Sequence, residues 1–331
     1  MRHYCTYFDR YYLPRGLALY QSLCRHAGEF SLHILCLDPQ SYRVLTTLAL
    51  PRIHIIHLDD FLAQDPELRS ARAARPALDF YFTCTPSLPI YLLARLPSIN
   101  AICYLDADLY FFSSPEPIFA ELGDAPIMAI EHRFPDPSHS VAPGRFNVAM
   151  QNFRRSVVAD ACLQRWREQC LNWCHDRIEA GLFGDQKYLE EWPQLYQEMC
   201  VVQHPGANLA PWNLASHQLS LESSPEKAVL VDGKPLIFFH FHRTRRVFAK
   251  LYDPTLSEFK VQCSPLIRAI FRPYARALEQ AEASVRGLLP EVNLTLSQRQ
   301  RDQAVRKQLR ARLSAARRFL QKLLAGHYIW L

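Results

Sequence analysis

AICYLDADLYFF, residues 101–112, is the stretch from which the rest of the chain is read. Ala101 to Leu105 form a short apolar run of the kind that makes a strand buried in a parallel sheet. Where the run ends, Asp106 and Asp108 stand one residue apart, with Tyr110, Phe111 and Phe112 close behind. Alternate side chains along a strand point the same way, so both carboxylates can face one point beyond its carboxyl end. In open α/β sheets that is where ligands sit. Two hard oxygen donors so close suit Mg²⁺ or Mn²⁺, which bind through one or two carboxylates plus substrate phosphates. An Asp-x-Asp alone is most often an exposed turn; the apolar strand before it and the aromatics behind it favour the metal reading here.

Upstream, strands are expected at 3–9, 32–38 and 53–58. Between them come a helix after a Pro14-Arg15-Gly16 turn and a helix at 39–48, where Pro39 is tolerated at the first position. A charged surface helix is expected at 65–79, and Thr85-Pro86 should open another through 96. Downstream the pattern continues with a helix at 115–122, a strand at 126–132, a loop at 134–145 and a strand at 146–153. A long helix at 157–178 carries Cys162, Trp166, Cys170 and Trp173 at helical spacing, which reads as core. The chain then breaks and restarts at 181–192, passes a polar-aromatic loop at 201–214, and forms a strand at 236–242 followed by Arg243, Arg245 and Arg246. Strands alternating with helices predict an α/β fold with a mostly parallel sheet covered by helices on both faces.

The 331 residues, 49% of them hydrophobic, can bury a substantial core in one large domain or two modest ones. The ten cysteines form no CxxC pair, so a zinc ribbon or redox motif is not expected. The start shows no signal pattern, and no run reaches the roughly 18–20 apolar residues needed to span a bilayer. A reduced, cytoplasmic protein is the expectation, either free or peripheral on the inner membrane face. The net charge of +6 is uneven: from Ser264 onward 13 Lys+Arg face 4 Asp+Glu, against 25 and 28 before it. A body at 1–263 and a basic helical tail at 264–331 follow. In the tail, 266–278 is amphipathic and interrupted by Pro273, and 298–324 carries one apolar stripe on a basic helix with Tyr328 and Trp330 beyond. Such a helix suits an anionic membrane surface; packing on its own domain or on a second subunit is the alternative. Oligomeric state is not legible.

Five patches need one explanation: Phe8-Asp9 at the end of the first strand, Asp106 with Asp108, Asn147 in FNVAMQNF, Gly184-Asp185-Gln186 in FGDQKYL, and His240-x-His242 in FFHFHR. In order and spacing the chain, over residues 3–250, resembles glycosyltransferases of the GT-A (Rossmann-like) fold. The likeness is to the glycogenin-like family 8 group and the bacterial nucleotide-diphospho-sugar transferases. The resemblance implies a metal-dependent transfer of sugar from a nucleotide-diphospho-sugar to a glycan or lipid-linked acceptor, with retention, in cell-envelope polysaccharide synthesis. Asp106 and Asp108, with His240 or His242, would hold Mn²⁺ or Mg²⁺ against the diphosphate. Thr6, Phe8 and Asp9 would seat the base and ribose, with Asn147 and Arg243 also on the donor side. Asp185 and Gln186 would be the catalytic pair beside the anomeric carbon. His204, Asn208, Trp212 and Asn213 would line the acceptor side. For Asp9 a turn cap, for Asp185 a helix N-cap and for the histidines a satisfied core position remain open. The family's His-Tyr-x-Gly-x-x-Lys-Pro-Trp pattern has no counterpart after His240, which leaves the source of the phosphate contacts open.

Two other classes compete. A nucleotidyltransferase uses a similar sheet and paired Asp but a Gly-rich loop after the first strand, where this chain has only Gly16. A catalytically inactive member would bind a sugar nucleotide or a membrane partner, against which stand the intact Asp106, Asp108, Asp185 and histidines. Nucleic acid is not an expected partner, since the basic tail lacks the interleaved aromatics that stack bases.

Overall fold

The computed structural model describes residues 1–140, 143–223, 228–248, 250–291 and 319–330. The chain runs β1 (Arg2–Phe8), α1 (Leu13–His26), β2 (Phe30–Cys36), α2 (Pro39–Leu48), β3 (Ile53–His57) and α3 (Leu58–Leu62). Next come α4 (Pro66–Ala74), α5 (Ala77–Arg95), β4 (Ala101–Leu105), β5 (Leu109–Phe111), α6 (Glu116–Leu122), β6 (Ile127–Glu131), β7 (Phe146–Arg154) and α7 (Val157–Asn172). The last part holds α8 (Trp192–Leu195), β8 (Cys200–Val201), β9 (Leu219–Leu221), β10 (Val229–Val231) and β11 (Lys234–Pro235). It ends with β12 (Phe238–His240), β13 (Arg245–Phe248), β14 (Leu251–Asp253), α9 (Pro265–Leu288) and β15 (Ile329–Trp330).

Seven strands make the central sheet in the order β3-β2-β1-β4-β7-β6-β8. Only β7 runs against the rest, pairing antiparallel with both β4 and β6. Period-two alternation places neighbours on opposite faces. Tyr4, Cys103, Leu105, Met128 and Ile130 pack in one cluster with α1 and α9. Cys5, Ile102, Tyr104, Ile127 and Ala129 pack in the other with α5 and α7. Both faces are buried, which explains why residues 101–105 read as a continuous apolar run. The chain winds outward from β1 to β3, then crosses back to lay β4 on the other side of β1. The reversal falls at the carboxyl ends of β1 and β4, the kind of switch point at which α/β sheets bind ligands.

Several expected boundaries change. Pro14, Arg15 and Gly16 belong to the first turn of α1, where proline loses no helical hydrogen bond. Helix α5 starts at Ala77, not at Thr85, and runs through Pro86 and Pro89. Burial on nearly all sides holds it where an isolated chain would break. The helix expected at 157–178 stops at Asn172. Helix α9 passes through Pro273 without interruption. Its inner side, Ile270, Phe271 and Tyr274, forms a third cluster with Tyr110, Phe239 and Phe241 beside the sheet. The Phe241 and Tyr274 rings stack there, 3.8 Å apart. The basic stripe expected at 298–324 falls outside the described residues except at 319–324, which is helical. All ten cysteines are unpaired thiols, and among the described residues no helix is long and apolar enough to cross a membrane.

Candidate active site

Strand β4 ends at Leu105, and Asp106, Ala107 and Asp108 turn the chain into β5. The Asp106 amide donates to Ala149 O on β7 (2.9 Å), which fixes the turn to the sheet. Strand β12 pairs antiparallel with β5, setting His240 opposite Leu109. The Phe241 amide closes the corner by donating to Asp108 O (3.0 Å). Thus two segments about 130 residues apart in sequence deliver both carboxylates and both histidines to one point. His240 Nε2 lies 3.1 Å from Asp108 Oδ1 and 3.8 Å from Asp106 Oδ2. One ligand atom each from Asp108, His240 and His242 lie within 4.8 Å of one another.

The electrostatics follow from this crowding. Burial pushes the Asp108 carboxyl up, but the His240 imidazole beside it more than offsets this and holds it near about 2. Burial lifts the Asp106 carboxyl to about 6, with His240 opposing and Asp108 adding to the rise. Burial works against a charged His240, yet the two carboxylates raise its pKa above the ordinary imidazole value. His242, buried and beside a charged His240, is pushed down to about 4 and stays neutral.

A polar row supports these groups. Asn147 Oδ1 lies 3.2 Å from His240 Nδ1. With Nδ1 donating there, Nε2 faces the carboxylates, the arrangement in which an imidazole ligand is held by an outer partner. Asn147 Nδ2 reaches His132 Nε2 (3.1 Å) and Gln186 Oε1 (3.3 Å). Gln186 Nε2 in turn donates to Pro143 O (2.7 Å). Burial lowers His132 to about 3, so it accepts the Asn147 hydrogen bond as a neutral ring. The Trp212 ring meets His132, His240 and His242 edge-on at 5.5, 5.1 and 5.6 Å.

The remaining predicted residues are more scattered. Asp185 is buried on the loop before a 3₁₀ turn at Lys187–Glu191, and its side chain caps no helix. Burial raises its carboxyl to about 7, opposed by a hydrogen bond from Thr85 and helped by the Asp106 charge. Asp9 Oδ1 accepts from the amides of Tyr11 and Tyr12 (2.9 and 3.2 Å), so it closes the turn after β1. Phe8 is in the core against Gly16, and Thr6 is fully buried within β1. Arg243 is exposed and faces Glu258 at 3.6 Å, while Arg245 and Arg246 pair with Asp253 and Glu282. On the acceptor-side set, His204 Nδ1 accepts from the Gly206 amide (3.1 Å). Asn208 donates to Glu131 O (3.1 Å), and Asn213 to His132 O (2.8 Å). Of those four, Trp212 alone touches the histidine pair.

Sequence reading passed over Tyr7, Thr85, Tyr104, His132 and Arg15. The Tyr104 hydroxyl donates to Asp106 Oδ1 (2.9 Å). Arg15, in the first turn of α1, donates from Nη2 to Thr244 O (2.9 Å) and helps hold Asp108 ionised. Tyr104 stands two residues before its partner on the strand; the others reach theirs from far along the chain, and no local pattern marks them.

Two relatives from Bacillus subtilis (strain 168) align along most of the chain. The uncharacterized protein YfnD is 27% identical over 293 residues, which is 87% of this chain and 92% of its own. The uncharacterized protein YfnF is 29% identical over 252 residues, 74% and 82% of the two chains. No protein-family model matches the chain. Among solved structures, galactosyltransferase LgtC in complex with donor and acceptor sugar analogs superposes with a TM-score of 0.47 and 14% identity. It covers 91% of this chain and 99% of its own. Mouse xyloside xylosyltransferase 1 in its apo form gives 0.46 and 16% identity, over 63% and 87% of the two chains.

Proposed function

We propose that the protein is a glycosyltransferase that moves a sugar from a nucleotide-diphospho-sugar to a hydroxyl of a glycan or lipid-linked acceptor. One observation carries the reading: two carboxylates and two histidines meet at the switch point of the parallel sheet, with Asn147, Gln186 and Asp185 ranged beside them. The donor set fits a divalent cation, since Asp108 is ionised, His242 is neutral, and Asn147 orients His240. Asp108, His240 and His242 would hold the ion with Asp106 at its side, and the mixed oxygen and nitrogen set favours Mn²⁺ over Mg²⁺. Such an ion neutralises charge on a departing diphosphate.

The chain's own residues divide the remaining work. The switch point at the ends of β1 and β4, beside the Asp9 turn, seats the nucleotide. Asp185 and Gln186 face the donor sugar, Gln186 held by Asn147 and by Pro143 O, Asp185 on a backbone anchored by Trp166. In a front-face displacement with retention, the bond from C1 to the diphosphate oxygen breaks as the acceptor oxygen bonds C1. The acceptor's proton passes to the departing diphosphate. Trp212 packs against the histidine pair from the side given to the acceptor. A nucleotidyltransferase is disfavoured because Gly16 lies inside α1 against the Phe8 ring and forms no phosphate-cradling loop.

The test is a screen of UDP-, GDP- and dTDP-sugars for Mn²⁺-dependent donor hydrolysis and for thermal stabilisation. A single nucleotide sugar that does both is expected. No stabilisation by any of them, with or without Mn²⁺, would overturn the reading. The lipid-linked acceptor and a peripheral seat on the membrane rest on the basic tail. Equal solubility in cell fractionation of full-length protein and of a variant with the Arg and Lys of 298–318 replaced by Gln would remove that part alone.

A further inference from the structure

Most cations around the site already have an acid. Arg243, Arg245 and Arg246 each face one, and Arg10 pairs with Asp38 (2.7 Å). Arg15 differs. Among the described residues it makes no ion pair and one hydrogen bond, from Nη2 to Thr244 O (2.9 Å). Its guanidinium lies over the Tyr12 ring at 4.5 Å, the side chain is half-buried, and Nε is buried without a partner. The bond to Thr244 sets Arg15 against the turn that follows His242. That same turn is tied to the carboxylates: the Thr244 amide donates to Phe241 O and the Phe241 amide to Asp108 O (both 3.0 Å). The Thr244 hydroxyl, buried on the turn, also lacks a partner, as does that of Tyr274, whose ring stacks on Phe241. Buried polar groups are almost always paired, so unpaired donors around one turn call for an acceptor that the protein itself does not supply.

We infer that Arg15, at the start of α1, binds the diphosphate of the nucleotide sugar, the contact for which this chain has no Lys-Pro-Trp after His240. The inference rests on the function proposed above. A strut between α1 and the turn would need only one neutral donor, and burying part of a cation with no acid beside it costs stability. A guanidinium instead carries five N–H donors in a fork that matches two phosphate oxygens. With Nη2 on Thr244 O, the rest of the fork remains for a phosphate. Charge points the same way. Arg15 adds to the His240 imidazole in keeping the buried Asp108 carboxyl ionised, so it stands within electrostatic reach of the site. A divalent ion would balance Asp106 and Asp108 and leave Arg15 as the excess positive charge, which a diphosphate neutralises.

The test is titration calorimetry of full-length wild type, Arg15→Met and Arg15→Lys, first with Mn²⁺ alone and then with UDP, GDP and dTDP in its presence. Arg15→Met is expected to weaken the nucleoside diphosphate that the wild type binds by about ten- to hundredfold, the range of a charge-assisted hydrogen bond. Affinity for Mn²⁺ alone should hold or rise, because a positive charge has left the neighbourhood of Asp108. An arginine with a structural role only would lower both affinities together. Arg15→Lys keeps the charge without the fork, so it should fall between, with a loss of about threefold or more. If Arg15→Met does not fold, Arg15→Lys carries the comparison: that loss with Mn²⁺ affinity kept supports the inference, and wild-type diphosphate affinity overturns it. Arg15→Met that binds the diphosphate as the wild type does, or that loses Mn²⁺ and diphosphate in parallel, overturns the inference and leaves the proposed function intact. Wild-type protein that binds none of the three with Mn²⁺ ends the functional reading, and the inference with it.

Discussion

Asp108 and His240 hold each other in charged form across 3.1 Å, and a cation at this point has to displace the His240 proton. Asp108→Ala should weaken Mn²⁺ binding by at least about a hundredfold, since losing a ligand costs more than losing an outer partner. Titration calorimetry with Mn²⁺ checks this, and unchanged affinity would show that the ion binds elsewhere. The pH dependence has a definite sign. The raised His240 pKa gives metal-free protein a stability that is full below the free imidazole value of about 6.5. That share is lost as pH rises through the folded pKa. Binding of the cation runs the other way, because protons compete with it. Melting temperature without metal should fall, and the increment given by Mn²⁺ should grow, between about pH 6 and 8. Calorimetric scans across that range would contradict the account if the increment shrank.

Helix α1 and strand β1 pack at a distance only glycine allows. A Cβ on Gly16 would stand 2.2 Å from Phe8 Cε1, so Gly16→Ala must push the ring or the helix aside. Overpacking of this kind costs about 1–3 kcal/mol, which urea unfolding would read directly. Because Arg15 is the neighbouring residue and Asp9 closes the preceding turn, the shift also reaches the site around Asp108. Helix α7 supports the site differently, through one indole. Trp166→Phe keeps the ring in the core but leaves the Asp185 carbonyl without its donor, a loss of about 1–3 kcal/mol. Faster hydrogen exchange confined to residues 183–187 should accompany it.

At the scale of the molecule, α9 joins the parts. Its Glu282 pairs with Arg246 at 2.6 Å, with both side chains largely buried, so it ties the segment after the histidines to the helix. Arg246→Ala would leave that buried carboxylate only Arg286, at 4.0 Å, and should cost roughly 3 kcal/mol at neutral pH. Burial raises the Glu282 pKa, so the loss should shrink in acid as the carboxyl takes a proton. The boundary expected at 263 and 264 falls just before this helix, whose apolar side fills the cluster around Phe239 and Phe241. A chain ended at Cys263 exposes those rings and should lose its cooperative thermal transition. Full-length stability in the truncated protein would instead mark 264–331 as a separate unit.

The sequence by itself determined the alternating strand-helix order, the buried run of β4, and the position of Asp106 and Asp108 where that run ends. These are local consequences of hydrophobic period and of carboxylates following an apolar stretch, so they are legible residue by residue. It also marked His240 and His242, since a strand of aromatics closing on two histidines stands out. It misjudged α5, because Pro86 and Pro89 disfavour a helix locally and only burial on nearly every side overrides that preference. Tertiary structure alone brought β12 onto β5, set Asn147 between His240 and Gln186, and put the Tyr7 hydroxyl against Thr85. It also sent Arg243, Arg245 and Arg246 to acidic partners and gave Arg15 to the neighbourhood of Asp108. Most of these pairings join residues tens to hundreds of positions apart, and their geometry is set by the register of packed elements, which no local pattern encodes.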